Sequence, residues 1–329
     1  MQTRKLGYTD LHLTEVGFGA WAIGGGGWEF GWGPQDDEEA IAAMRRAVEL
    51  GVNWIDTAAI YGLGHSEELV ARAFEGRRDE VIIATKCSLV WNAQRRISSS
   101  LKADSVLREC DASLKRLKTD RIDLYQIHWP NDEEHIEEGW AAIGQLIDAG
   151  KIRYGGVSNF RVEHLERAQK LHPVASLQPP YSMLRRQHEK AEFPYCQANN
   201  IGIVAYSPMQ SGLLTGKFDI NRLAEDDWRR KSKEFMEPNL HINQEFAGRL
   251  WDVALKRDKT PAQLAIAWAL RREEVTAAIV GARRPSQVDE IVGGAGWKME
   301  PEDLDRIEEL LDWRRGKILA EKGFIPVES

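Results

Sequence analysis

A chain of 329 residues is longer than a minimal domain but fits one large α/β barrel, which needs about 250 residues plus insertions. Its 43% hydrophobic and 29% charged residues suit a soluble protein with a sizeable core, and no stretch reaches the roughly 20 consecutive apolar residues of a membrane span. The 44 basic and 51 acidic residues leave a net charge of −7, which opposes a phosphate backbone and argues against nucleic acid as a partner.

The first residues, MQTRKLG, lack the apolar stretch of about 7–15 residues that a secretory signal needs, so the cytoplasm is the expected location. Cys87, Cys110 and Cys196 are odd in number, widely spaced and outside any Cys-x-x-Cys pattern. Buried thiols are expected rather than disulfides, and no metal site is expected.

In chain order, Thr3–Leu6 and Leu11–Thr14 flank Gly-Tyr-Thr-Asp and predict a β-hairpin over residues 1–14. Short β-branched runs then alternate with amphipathic segments, the pattern of parallel strands joined by crossover helices. The expected strands are Glu15–Ala20, Asn53–Thr57, Glu80–Lys86, Ile122–His128, Arg153–Ser158, Val174–Gln178, Gly202–Tyr206 and Thr276–Val280. Helical spacing joins Ala40, Ala43, Ala47 and Leu50, and again Val106, Cys110, Ser113, Leu114 and Leu117. Asp104 and Thr260 read as helix caps, the second strengthened by Pro261 at the first helical position.

Eight βα units remove their sheet edges by closing, whereas a doubly wound sheet of that length leaves two strands exposed. The expected fold is therefore α/β, a (β/α)8 TIM barrel formed by the whole chain, residues 1–329, with the N-terminal hairpin as its cap. Three segments read as loops: Trp21–Pro34, Ser207–Leu240 and the tail 314–329. The first two follow strands one and seven, so they belong over the C-terminal face, where barrel active sites are built.

Polar residues closing apolar strands are the informative ones on such a rim. Asp56 closes NWID, Tyr61 follows in DTAAIYG, Lys86 closes VIIATK and His128 closes DLYQIH. Singly, each has a plain structural explanation: a helix cap, a rim aromatic, a lysine reaching solvent, a histidine satisfying a carbonyl. Together they make chemical sense, because a lysine ending a buried strand needs a carboxylate partner and Asp56 on the neighbouring strand supplies one. A nearby ammonium stabilises a phenolate and an imidazole can share the phenol proton, which turns Tyr61 into an acid for carbonyl reduction.

These residues and their surroundings resemble the aldo-keto reductase superfamily over nearly the whole chain. The resemblance rests on GVNWIDTAAIYG, the lysine after IIAT, IDLYQIHWP, GKIRYGGVSNF, AYSPMQSGLLTGK and AAIVGARRPSQVDE. It implies a catalytic tetrad of Asp56, Tyr61, Lys86 and His128, and reversible hydride transfer between a nicotinamide cofactor and an aldehyde, ketone or sugar carbonyl. It further implies that Ser158, Asn159 and Gln178 hold the nicotinamide carboxamide while Tyr206 stacks on the ring.

Ser207, Gly212, Leu213, Gly216 and Lys217 would then lie along the pyrophosphate, and Gly281, Arg283, Arg284, Gln287 and Glu290 at the adenosine end. Many relatives carry Lys-Ser and a later Arg where this chain has Gly281, Ala282 and Gln287. The Arg283–Arg284 pair still favours NADP, since a guanidinium offers paired donors to phosphate.

Trp21, Trp28, Phe30, Trp32, Trp91 and Trp129 are the expected walls of an aromatic pocket for a small-molecule carbonyl or sugar; the alternative is plain packing of loop against rim. Two other functions compete with this reading, a cofactor-binding regulatory subunit of a channel and a lyase or isomerase with Lys86 as Schiff-base nucleophile. No sequence feature marks the first, and Asp56 opposes the second by keeping the lysine protonated.

Overall fold

The structure, a computed structural model, describes residues 1–225 and 227–324. Its centre is a closed barrel of eight parallel strands: β1 Val16–Gly19, β2 Trp54–Asp56, β3 Ile82–Cys87, β4 Ile122–Ile127, β5 Ile152–Ser158, β6 Ser176–Gln178, β7 Gly202–Tyr206 and β8 Val275–Gly281. Each strand pairs with its neighbours in sequence, and β8 closes on β1 through Ala278 opposite Val16. The barrel expected from the alternating pattern is the one present, with strand ends displaced by at most two residues and Gly202–Tyr206 matching at both ends.

Side-chain alternation sorts each strand into an outer face under the helices and an inner face. Trp54, Ala84, Leu124, Ala175, Val204, Ala277 and Ile279 form an inner apolar cluster with Leu6, Leu11 and Leu13 of the N-terminal hairpin. That hairpin pairs Thr3–Lys5 antiparallel with His12–Thr14. It plugs the end where strands begin: Arg4 donates to Val275 O at 2.6 Å, and Gly7 lies so near Asn200 O that a Cβ there would approach to 2.6 Å. With one end stoppered by leucines, only the other end can admit a ligand.

The expected helices form as their spacing indicates. Asp37–Glu49 buries Ala40, Ala43 and Ala47 and is capped by Asp36, which accepts from Glu39 N. Ala103–Leu117 buries Val106, Cys110, Ser113 and Leu117. Thr260 caps Pro261–Leu270 in a reciprocal pair with Gln263. All three cysteines are buried and free.

Several expectations need correction. The cap of Ala103–Leu117 is Lys102, not Asp104, which instead pairs with Arg108 one turn on at 2.5 Å. The tail is not a loop, because one helix runs Pro301–Ala320 with Leu310, Arg314 and Ile318 buried; residues 325–329 lie outside the described residues. A second small hairpin, Leu89–Trp91 with Ile97–Ser99, follows β3 and had no sequence signal beyond its two three-residue arms. The 207–240 segment is a loop of short 3-10 turns until Asn239, where the helix Asn239–Leu255 begins.

Gly17 on β1 faces the Trp54 ring, and a Cβ there would sit 2.0 Å from Trp54 Cε2. The ring has no freedom to retreat, since its Nε1 donates to Thr14 O at 2.9 Å and its surface is buried. Gly17→Ala is therefore expected to lower stability by about 1–3 kcal/mol, the usual cost of overpacking. The urea midpoint measures it, and an unchanged midpoint would show that the barrel floor can yield.

Candidate active site

The register of β2, β3 and β4 decides which polar groups meet. Asp56 is two residues beyond Trp54, Lys86 two beyond Ala84 and Gln126 two beyond Leu124, so all three share the inward face of that apolar layer. Lys86 Nζ donates to Asp56 Oδ1 at 2.6 Å and to Thr57 O at 2.8 Å, and lies 3.5 Å from Tyr61 Oη. An ammonium has three donors, and these three oxygens account for them.

Asp56 takes further bonds on Oδ2 from Gln178 Nε2 at 2.9 Å and Gln126 Nε2 at 3.3 Å, and Gln178 Nε2 also reaches Gln126 Oε1 at 3.1 Å. Sequence reasoning missed Gln126. Its signal was a glutamine inside the buried strand IDLYQI, where a fully buried amide has to be bonded to something.

Tyr61 is not on a strand but in the turn that follows β2. Its N–H bonds to Ala58 O and its carbonyl accepts from Ser66 N. Gly62, at φ +63°, lets the turn press against the loop after β1: a Cβ there would stand 2.1 Å from Gly24 O, so no other residue fits. The Tyr61 ring meets the His128 ring edge-on, centroids 5.7 Å apart.

Burial first, then the Asp56 charge, holds the Tyr61 phenol well above its ordinary range, so it carries its proton at neutral pH. Enclosure and the Lys86 charge push the His128 imidazole well below its ordinary value and keep it neutral. Burial also draws the Lys86 ammonium down, with Asp56 opposing.

Beside this group, Ser158 Oγ donates to Gln178 O at 2.9 Å, and Asn159 Nδ2 donates to His128 O at 2.9 Å. Asn159 has φ +62°, a conformation asparagine tolerates better than most residues. Tyr206 Oη donates to Asn159 Oδ1 at 2.9 Å, and burial raises its phenol to about 12.

Past β7 the backbone turns through left-handed residues at Ser207, Ser211, Gly212 and Gly216. Of the phosphate candidates there, Leu213 is fully buried in a cluster with Phe235 and Leu240, while Lys217 Nζ reaches Glu290 Oε1 at 3.2 Å.

Two long loops meet over the barrel mouth. Trp21 stacks on Tyr61 on one side, centroids 6.2 Å and 19° from parallel, and on Trp228 on the other at 5.7 Å and 11°. Arg229 lies 4.0 Å above the Trp32 ring, with Asp227 holding its guanidinium at 2.7 and 3.0 Å. Trp32 thus belongs to the junction between loops as much as to any pocket. Trp228 and Arg229 were not foreseen, though Trp228 is among the twelve tryptophans of the sequence.

Arg283 is folded onto the first loop, its Nη atoms donating to Trp32 O and Pro34 O and its Nε to Gln35 Oε1. Its own N–H bonds to Gln287 Oε1 at 2.8 Å, and burial with neighbouring Arg229 lowers its guanidinium from the ordinary value. Arg284 and Gly281 are exposed. Around Tyr61, Trp21, Trp28 and Trp91 pack with Ala58 and Ile60, while Trp129 and Phe30 are 38% and 39% exposed.

The residues fit a nicotinamide dinucleotide. Gln178 commits its amide nitrogen to Asp56 and Gln126, which leaves its carbonyl for a carboxamide, and Tyr206 is tethered by its hydroxyl rather than free to rotate. Among the described residues, the indole N–H groups of Trp32 and Trp228 are buried without acceptors, where a ligand rich in oxygen would supply them.

The family model described as Aldo/keto reductase family matches residues 15–312. The aldo-keto reductase YhdN of Bacillus subtilis (strain 168) is 36% identical over 316 residues, covering 95% of this chain and 94% of its own. The NADH-specific methylglyoxal reductase of Escherichia coli (strain K12) is 32% identical, covering 95% and 99%. The solved glycerol dehydrogenase of Gluconobacter oxydans superposes with a TM-score of 0.87 at 34% identity, covering 95% and 96%. With these matches over nearly its whole length, the chain belongs to the aldo/keto reductase family, oxidoreductases that act on carbonyl substrates.

Proposed function

We propose that the protein transfers hydride reversibly between NADP(H) and the carbonyl of a small aldehyde, ketone or sugar, with Tyr61 as general acid and base. The observation that carries this reading is a protonated, buried phenol 3.5 Å from an ammonium whose other donors are already bound. Ser158, Asn159, Gln178 and Tyr206 would hold the carboxamide and one face of a bound nicotinamide, which would supply the hydride.

In the reductive direction the carbonyl oxygen lies between Tyr61 Oη and the neutral His128 ring. As hydride adds to carbon, the C=O electron pair moves to oxygen, which takes the Tyr61 proton and becomes the alcohol. The resulting phenolate is stabilised by Lys86 and regains a proton from water. Asp56 keeps Lys86 in place and charged, with all three ammonium donors engaged. A Schiff-base nucleophile would need a free, neutral amine instead. The acid and electrostatic roles fall to side chains, so the chemistry calls for no metal.

The pocket walls present ring faces more than polar groups, since Trp21 Nε1 donates to Phe30 O and Trp28 Nε1 to Gly25 O. Such walls suit apolar skeletons and sugar C–H faces alike. No helix of the described residues is long and apolar enough to cross a membrane, in keeping with the cytoplasmic location proposed here.

The cofactor preference rests on Arg283 and Arg284, because family membership does not choose: one relative is NADH-specific by name. Arg283 is engaged by the first loop, whereas Arg284 is exposed. Arg284 is therefore assigned to the 2′-phosphate, and Arg283 to holding residues 21–34 over the cofactor.

Purified protein should bind NADPH with quenching of tryptophan fluorescence and oxidise it when an aldehyde is added; no binding of either nucleotide overturns the reading. Tyr61→Phe is expected to lose about 10²–10⁴-fold in turnover with unchanged NADPH affinity, and near-normal turnover would remove Tyr61 as the acid. Arg284→Ala should weaken NADPH more than NADH, and Arg283→Ala should weaken both. Selective loss of NADPH on Arg283→Ala would reverse those two roles. The His128 imidazole should remain neutral at pH 6 by NMR, and a doubly protonated ring there would refute its assignment as a neutral hydrogen-bonding group.

A further inference from the structure

Glu109 is a half-buried carboxylate that the proposed chemistry leaves unused. It projects from the helix Ala103–Leu117 toward the end of β3, where its Oε2 accepts from Ser88 N at 2.9 Å and its Oε1 from Ser105 Oγ at 3.0 Å. Ser88 is fully buried at φ +80°, a strained backbone for a residue with a Cβ that persists only where its surroundings hold it.

The peptide unit between Cys87 and Ser88 is gripped from both sides. Its carbonyl, Cys87 O, accepts from His128 N at 3.1 Å, and its N–H, on Ser88, donates to Glu109. Ser88 Oγ then pairs with the backbone of Trp129, accepting from its N at 3.2 Å and donating to its O at 3.3 Å. Lys86 stands immediately before this unit and His128 hangs from it. A carboxylate on the N–H polarises the peptide and strengthens its carbonyl as an acceptor, so Glu109 bears on both catalytic neighbours of Tyr61 without touching either.

We propose that Glu109 is a positioning residue: through the Cys87–Ser88 peptide its carboxylate keeps Lys86 and His128 in register with Tyr61. This rests on the tetrad reading given above. Toward the barrel Glu109 faces the Cys87 thiol and the Tyr125 phenol, while Arg116 and Arg108 approach from its own helix. Burial outweighs those arginines and the two hydrogen bonds and lifts Glu109 to about 7. Tyr61 lies well above that range and His128 well below it, so neither titrates nearby. Above pH 7 the clamp is charged; as pH falls through 7 it takes a proton and loosens.

The test is kcat, KM and NADPH affinity between pH 6 and 9 for the wild type and Glu109→Gln. At pH 8 the variant is expected to lose about 10- to 100-fold in kcat, as small misplacements do, with NADPH affinity within about twofold. Wild-type kcat should fall toward the variant's level below about pH 7, and the variant should be flat across that range. Wild-type kcat and profile in Glu109→Gln would overturn the proposal, as would reduced stability with kcat and profile unchanged. If the variant does not fold, the wild-type profile decides alone, since no inflection near pH 7 also overturns it. Tyr61→Phe run alongside separates the claims: its retaining turnover removes the tetrad reading, whereas its losing turnover while Glu109→Gln matches wild type removes only the clamp.

Discussion

The buried ion pair between Lys86 and Asp56 is the interaction on which the rest of the site depends. Removing two charges from water is expensive, and breaking such a pair by deleting one partner typically costs about 3–5 kcal/mol. The cost here is met by geometry: a 2.6 Å contact, a backbone carbonyl for the second ammonium donor, and two glutamine amides on the free carboxylate oxygen. Apart from Asp56 and Thr57, these partners are far apart in sequence. They meet because β2, β3, β4 and β6 present inward residues at one level of the barrel, directly above the apolar layer of Trp54, Ala84 and Leu124.

The same pair explains why the tyrosine is the informative position to alter. A lysine variant strands Asp56 and confuses loss of chemistry with loss of fold, whereas the Tyr61 hydroxyl meets the pair through its 3.5 Å contact to Lys86 and leaves the pair intact when removed. Around this rigid centre the connections are of another kind. The 21–34 and 207–240 loops meet through stacked rings and a guanidinium lying on an indole. Loops of this kind carry function on a rigid scaffold.

Much of this was legible in the sequence, for physical reasons that differ by element. The eight strands showed because buried parallel strands must be apolar runs, and Thr260-Pro261 announced a helix start because the cap and the missing donor both belong there. Asp56, Lys86 and His128 were visible as polar residues ending such runs. Gln126 was hidden by its position inside one, and Trp228 by a loop with no periodicity to mark it. Asp104 misled because an acidic residue favours any site in a first turn, not only the cap. The helix through residue 314 was obscured by its charge, as its last turns bury Leu310, Arg314 and Ile318 among many charged residues.

The stoppered end of the barrel bears on how protons reach the Tyr61 phenol. Below Asp56 lie the rings and alkyl groups of Trp54, Ala84 and Leu124, sealed by Leu6, Leu11 and Leu13, and both Asp56 oxygens already accept. The buried Ser176 hydroxyl at that level has no hydrogen-bond partner among the described residues, so these groups relay no proton onward. Exchange between Tyr61 and bulk water is therefore one-ended, running only through the mouth that substrate and cofactor themselves must occupy, so that the traffic of ligands and the traffic of protons share a single doorway.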